Sequence, residues 1–246
     1  MAGSKKYRGK PCAYCGASAT APDHVIGRGF FLPQDRSDLP QVPGCDVCNR
    51  QKSALETELM ALLPFGGSHS AGQLNLRDMV PDRLKNNRRL HRKLRQQKGR
   101  VLAEDDSGLV VPMMTLPVDA EQLLKLYEWI ARGLLWFHWQ VRLTAEHDVT
   151  AITLTKAGDE YFDGLLAQRA AARVSEDLKD GTFRYEAAQA VDDPSITIWR
   201  LSMYGGIRFG DPAVPGQVAT RIGVMTGPRS IKENAERAIR FGVTNI

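Results

Sequence analysis

The sequence predicts an α+β fold, and three observations carry that prediction. All four cysteines lie in the first fifth of the chain, as two Cys-x-x-Cys pairs. The middle of the chain holds apolar residues at helical spacing. From about residue 182 the apolar period changes to two, the period of strands. In chain order these shifts divide the 246 residues into an N-terminal cysteine-bearing unit (1–75), a middle region of basic helix, hairpin and hydrophobic helices (76–180), and a C-terminal antiparallel β/α region (181–246).

Composition sets the outer limits. A quarter of the residues are charged and 43% are apolar, the balance of a chain with a real core. No stretch approaches the roughly 18 uninterrupted apolar residues of a membrane span. The N-terminal MAGSKKYRGK is basic but leads into no apolar segment, which argues against a secretory signal and for the cytoplasm. The net charge of +5 and pI of about 9.1 suit an anionic partner. The charge is also concentrated, because ten Lys/Arg residues between Arg77 and Arg100 face only Asp78 and Asp82.

Cys12 and Cys15 form the first Cys-x-x-Cys and Cys45 and Cys48 the second, with 29 residues between the pairs. Each such turn points two thiolates at a common centre, so two turns suit a tetrahedral zinc. Disulfides are disfavoured where thiols stay reduced. A thioredoxin-like redox pair explains one motif but not two. Zinc here staples a segment thin in apolar residues, and its binding energy is folding energy. The second pair runs straight into a helix in which Leu55, Leu59, Leu62 and Leu63 recur at helical spacing until Pro64. Asn49 stands near its start.

The basic stretch reads as a helix with a thin apolar stripe of Leu84, Leu90 and Leu94. Such a run is ordinarily a solvated face, yet its density also suits phosphate contact through Lys85, Arg88, Arg89, Arg92, Lys93 and Arg95. RVLAEDDSGLVVPM reads as a hairpin, with Val101 and Leu102 opposite Leu109 to Val111 around Asp-Ser-Gly. Asp119 with Gln122 resembles a cap that opens an apolar helix over 120–141. Leu123, Tyr127, Ile130, Leu134 and Phe137 share one face of it, and Trp129, Trp136, Trp139 and a core histidine, His138, fill the remainder. Tyr161, Leu165 and Leu166 predict a further helix over 156–178. FRYEA, ITIWRLSMY and GIRFG read as antiparallel strands, the last two joined through Gly205-Gly206, with VATRIGVM as a fourth. Trp199 and Tyr204 are expected in the core. Ser230 with Glu233 forms a capping box for a last helix ending near Gly242.

Inside the cysteine frame lies DHVIGRGFF, with an acid and a histidine in an otherwise apolar, glycine-rich run. Taken alone, Asp23-His24 reads as a buried pair. The first Cys-x-x-Cys, then Asp23-His24-Val25, then the second Cys-x-x-Cys followed at once by Asn49, with Lys52 three later, together resemble the HNH endonuclease family in its four-cysteine form. The segments ARGLLWFHW and SITIWRLSMYGGIRF are similar to segments of a bacterial and phage subset of that family, although the specific match covers residues 12 to 52.

The resemblance implies a ββα-metal unit and cleavage of DNA, double-stranded DNA above all. By position, His24 is implied as the general base, and Asp23 and Asn49 as ligands of a catalytic Mg²⁺ or Mn²⁺, apart from the zinc on the four cysteines. The chemistry fits these residue types. An imidazole near pKa 6.5 can take a proton from water at neutral pH. A hard divalent cation on oxygen ligands offsets charge at the leaving oxygen. Arg28, Arg50 and Lys52 lie close enough in sequence to hold the scissile strand, and Phe30 and Phe31 anchor the loop. The chain departs from the family at the middle Asn, where Ser37-Asp38-Leu39 puts Asp38, which can accept the same hydrogen bonds but donate none. A catalytically degenerate, zinc-stapled nucleic-acid-binding module is the alternative. A third expectation makes the rest of the chain a platform for a protein partner in a phage-defence or mobile-element system.

Overall fold

The computed structural model describes residues 6–104, 109–205, 207–210 and 218–229. It is an α+β fold. The chain enters through a tight turn carrying Cys12 and Cys15, then forms β1 (Ala21–His24) and β2 (Gln41–Gly44), which pair antiparallel with His24 opposite Gln41 and Ala21 opposite Gly44. Cys45, with extended backbone, starts α1 (Asp46–Leu62), and a 3₁₀ turn containing Pro64 follows it, as the leucine spacing predicts. Phe30 and Phe31, in the loop between β1 and β2, are fully buried.

The basic stretch is three short helices rather than one: α2 (Ser70–Asp78), α3 (Val80–Asn86) and α4 (Arg88–Gln97). Pro81 suits only the first turn of a helix, so it starts α3 instead of continuing α2. Asn87 leaves helical geometry and its side chain accepts from Leu90 N, which caps α4. Leu90 and Leu94 pack with Ala61 and Leu62 in a small cluster that seats α4 on the end of α1, with Leu84 at its margin.

The predicted hairpin is present as β3 (Gly99–Glu104) and β4 (Val110–Thr115), and its Asp-Ser-Gly turn lies outside the described residues. Asp119 caps α5 (Ala120–Trp139), accepting from Gln122 N at 3.1 Å. Leu123, Tyr127, Ile130 and Leu134 are buried, whereas Phe137, expected on the same face, is 39% exposed. His138 and Trp139 are the residues that meet the sheet at this end of the helix. One apolar cluster joins α5 to the cysteine turn, to β2 and to strands as late as Val224.

The C-terminal half is a five-stranded antiparallel sheet in the order β5-β9-β8-β7-β6, formed by β5 (His147–Thr155), β6 (Ala172–Leu178), β7 (Phe183–Gln189), β8 (Thr197–Met203) and β9 (Ala219–Pro228). α5 covers one face, where Trp139 stacks on Trp199 at 5.2 Å. α6 (Lys156–Ala167) covers the other, with Phe162 over Gly223 and Asp159 and Asp163 on Arg200.

Two expectations change here. The helix predicted over 156–178 ends at Ala167, and 172–178 is a strand, because Asp180-Gly181 turns it back onto β7. Lys179, Asp180 and Gly181 all have positive φ in that turn. The strand expected at GIRFG is also absent as such: the chain turns at Tyr204 and Gly205, and within 207–210 only Phe209 bridges, to Ala219. Trp199 and Tyr204 are in the core. The helix predicted from Ser230 and Glu233 to Gly242 lies outside the described residues. Among the described residues no helix is long and apolar enough to cross a membrane.

Candidate functional site

The cysteine centre assembles from both ends of the β1–β2 hairpin. The first pair closes a tight turn in which Cys12 N donates to Ala17 O at 2.7 Å and Gly16 N to Cys12 O at 2.9 Å. Gly16 takes φ +81°, and the Arg142 guanidinium lies where a side chain would project. The second pair spans the start of α1, so helix formation itself sets the spacing of Cys45 and Cys48. The four Sγ atoms lie within 4.8 Å of one another and none is in a disulfide. A zinc with sulfur at about 2.3 Å separates its tetrahedral thiolates by about 3.8 Å, so the cluster fits a metal such as zinc. Burial raises the Cys45 thiol, but the Cys48 N–H and the neighbouring sulfurs outweigh it and bring it down to about 7. A lowered thiol more readily gives the thiolate that binds a cation.

Asp23 and Asn49 meet across Gly44. A Cβ on Gly44 would stand 2.5 Å from Asn49 Oδ1 and 2.9 Å from Asp23 Cβ, so only glycine lets α1 approach the hairpin this closely. Asn49 Oδ1 is buried and has no hydrogen-bond partner. An orphaned buried acceptor is uncommon and requires a reason. Beside it, Asp23 Oδ2 accepts from Tyr14 Oη at 2.6 Å and faces Lys52 Nζ at 3.4 Å. Hydrogen bonds to Asp23 fall on that oxygen alone among the described residues. The orphaned Asn49 oxygen thus lies beside the Asp23 side chain, and an amide oxygen with a carboxylate is a donor set that suits a hard, oxygen-seeking cation.

His24 ends β1 and is half-buried. Burial, then the Arg28 charge, holds its imidazole below the ordinary value of 6.5, against a smaller pull from Asp23. It is therefore neutral at pH 7. The Gln41 carboxamide stands 2.9 Å from His24 Nε2. It is the amide nitrogen that faces the ring, so Gln41 Nε2–H donates to His24 Nε2 and the ring proton lies on Nδ1. Only the flipped amide, with its oxygen on the ring, would accept Nε2–H and leave the Nδ1 lone pair free. Asp38, the residue at the middle-Asn position, is exposed with φ +56° and makes no hydrogen bond among the described residues. Gln41, opposite His24 in the hairpin register, holds the ring instead.

Lys52 corrects a second expectation. Its closeness in sequence to the site suggests a hold on the scissile strand, but it is 1% exposed. Its ammonium donates to His24 O at 2.6 Å and Glu56 Oε1 at 2.7 Å and faces Asp23. Burial raises the Glu56 carboxyl and Lys52 opposes that rise. Glu56 presses on Gly27, whose missing Cβ would lie 2.7 Å from the carboxylate. The inward stripe of α1 is thus Cys48, Lys52, Glu56 and Leu59, one residue per turn.

The other predicted cations are outside this knot. Arg28 and Arg50 are exposed, and among the described residues Arg50 Nε reaches only Asp46 O. Lys85, Arg88, Arg89, Arg92 and Arg95 are exposed and have no ion pair among the described residues. Lys93 is engaged with Glu58 at 2.8 Å, tying α4 to α1. Arg83 binds Met60 O and Gly29 O and so fixes α3 beside the turn that carries Arg28.

Tyr14, Gln41 and Glu56 also belong to the site, although the motif does not single them out. Glu56 has one legible signal, its place four residues after Lys52 on the same helix face. Tyr14 and Gln41 have none, since their partners are fixed by the fold.

No protein-family model, curated protein or solved structure matches the chain.

Proposed function

We propose that the protein is a metal-dependent endonuclease of the HNH type that hydrolyses phosphodiester bonds in double-stranded DNA. The observation that carries this reading is the meeting of Asp23 with the unpaired Asn49 oxygen across Gly44, one residue from a neutral His24. The order of a hairpin followed by a helix, β1, β2 and α1, supports the reading as a ββα-metal unit. Asp23 Oδ1 and Asn49 Oδ1 would hold Mg²⁺ or Mn²⁺, which supplies charge compensation at the scissile phosphate. With the Gln41 amide turned so that its oxygen accepts Nε2–H, His24 takes the proton of the attacking water at Nδ1. Gln41 fixes the plane of that ring. Arg28 and Arg50 neutralise phosphates next to the cut, and Lys85, Arg88, Arg89, Arg92 and Arg95 extend the interaction along the duplex without reading its sequence. Zinc on the four cysteines holds hairpin and helix together.

A metal titration with plasmid, single-stranded DNA and RNA, run on wild type and His24→Ala, tests the reading. Wild type is expected to cut duplex DNA with Mg²⁺ or Mn²⁺, and His24→Ala to retain DNA without cutting it. Equal cutting by the variant would remove His24 as the base. One observation favours the alternative, a catalytically silent nucleic-acid-binding module: Asp23 already shares an oxygen with Lys52. DNA retention by wild type with no cleavage under any divalent ion would establish that alternative.

A further inference from the structure

Tyr14 stands between the first two cysteines, yet its hydroxyl belongs to the other site. Its ring is buried, with its edge on Trp129 at 5.0 Å. The hydroxyl fills a notch in α5, 3.1 Å from where a Cβ on Gly133 would be. From there it donates to Asp23 Oδ2 at 2.6 Å. The residue has no freedom to point elsewhere, because the cysteine turn fixes its backbone and α5 fixes its ring.

The consequence for Asp23 is specific. A carboxylate at the end of a two-stranded hairpin can rotate and offer either oxygen or both. Tyr14 and Lys52 occupy Oδ2, so Oδ1 is the oxygen that remains. The companion oxygen, on Asn49, is set by the opposite route, since Asn49 directly follows Cys48 in the first turn of α1. Each of the two ligands is therefore coupled to one half of the cysteine centre: Asp23 through the side chain one residue from Cys15, Asn49 through the peptide bond to Cys48.

We propose that Tyr14 is a positioning residue that reserves Asp23 Oδ2, leaves Oδ1 to bind a divalent cation together with Asn49 Oδ1, and so couples that cation site to the cysteine centre. The proposal rests on the cation site of the nuclease reading. A purely structural Tyr14, held by Asp23 only to satisfy its buried hydroxyl, would affect stability and leave cation affinity alone. Partners that orient a ligand commonly change metal affinity by about 10- to 100-fold when removed.

The zinc-loaded full chain gives the test, with Mn²⁺ as probe followed by electron paramagnetic resonance and calorimetry, beside melting temperature and zinc content. Tyr14→Phe keeps the ring and removes one oxygen. It is expected to weaken Mn²⁺ binding by about tenfold or more with zinc content unchanged. Gly133→Ala keeps the hydroxyl but crowds both it and Val25 from α5, with Val25 Cγ1 2.8 Å from the added Cβ. The same direction of change is expected, and Val25→Ala in the Gly133→Ala background relieves the Val25 contact and leaves the effect on the hydroxyl. Mn²⁺ binding in Tyr14→Phe equal to wild type would overturn the proposal and leave the nuclease reading intact. Wild-type binding no stronger than that of Asp23→Asn would overturn both. If Tyr14→Phe does not fold, unaltered Mn²⁺ binding in Gly133→Ala overturns the proposal and weakened binding supports it.

Discussion

The ammonium of Lys52 donates to the backbone carbonyl of His24 at 2.6 Å, from a helix to the last residue of a strand. The side chain that makes this bond is among the most buried in the molecule, and it also faces two carboxylates, Asp23 and Glu56. Removing one member of such a buried set leaves the others uncompensated. Lys52→Met is expected to destabilise the fold by about 3 kcal/mol, the lower end for breaking a buried pair. The double change Lys52→Met, Glu56→Leu is expected to recover part of that loss, because an apolar pair has no charge to bury. Urea unfolding of the three proteins checks both, and an undiminished midpoint in Lys52→Met would refute the first.

Gln41 is the hydrogen-bond partner of the His24 ring. Gln41→Leu keeps its bulk and removes the bond. Cleavage is expected to fall about tenfold or more, with DNA binding unchanged, since the loss is of orientation rather than of affinity. Asp38→Ala, by contrast, is expected to cut like wild type, because Asp38 makes no bond to the ring. A larger effect of Asp38→Ala than of Gln41→Leu in a plasmid assay would reverse this assignment.

The four cysteines set both ends of the hairpin–helix junction. Elemental analysis is expected to find about one zinc per chain, lost in Cys12→Ser. Chelation is expected to melt residues 6–62 and to abolish Mn²⁺ binding at Asp23 and Asn49 at the same time. Hydrogen exchange with and without chelator reads the first and calorimetry the second. A zinc-free protein retaining full Mn²⁺ affinity would contradict the coupling.

His138 provides a pH dependence far from the cysteines. It lies 2.9 Å from Tyr185 Oη, among Trp139, Trp199 and Phe137. Burial holds its pKa below the ordinary 6.5, and Glu176 opposes this weakly. The unfolded chain therefore binds the proton more readily than the folded one. The contribution to stability is full above about pH 6.5 and is lost as pH falls through the lowered folded value. His138→Gln can keep a bond to Tyr185 and cannot titrate in this range. Its melting temperature is expected to vary less than that of wild type between pH 5 and 7. Parallel curves would exclude His138 as the group responsible.

Arg88, Arg92 and Arg95 are exposed and without ion pairs among the described residues. Replacing all three by Ala is expected to reduce the slope of log affinity against log salt by about one unit for each phosphate no longer neutralised. Sequence preference is expected to stay the same. DNA titrations at several salt concentrations measure both. An unchanged slope would put the duplex elsewhere on the protein.

What is legible in the sequence depends on how local the cause is. The α+β class, the cysteine frame, α1, the β3–β4 hairpin, the Asp119 cap and the strands β7 to β9 all follow from spacing, caps and period over a dozen residues. β6 looks helical because Ala170, Ala171 and Ala172 favour a helix, while the Asp180-Gly181 turn that decides the matter lies eight residues later. The break in the basic helix is marked by Pro81, but the charge pattern runs straight across it. In the site, Asp23, His24 and Asn49 are visible as a motif. The side chains that hold them are not: Lys52 looks like a surface cation, and Gln41 and Tyr14 are tied to their partners by pairing across the hairpin and by packing against α5.

α1 also acts as a ruler. Cys48, Lys52 and Glu56 are spaced by one helical turn, and each serves a different part of the molecule: the cysteine centre, the strand carrying Asp23 and His24, and the loop at Gly27. Inserting a single residue between Cys48 and Lys52 would rotate everything beyond it by about 100° and remove the last two from register at once. Single substitutions along this stripe are local injuries, whereas a change of length there is a global one. Natural or engineered variants should therefore accept new side chains on the outer face of α1 while keeping the count of residues from Cys48 to Glu56 constant.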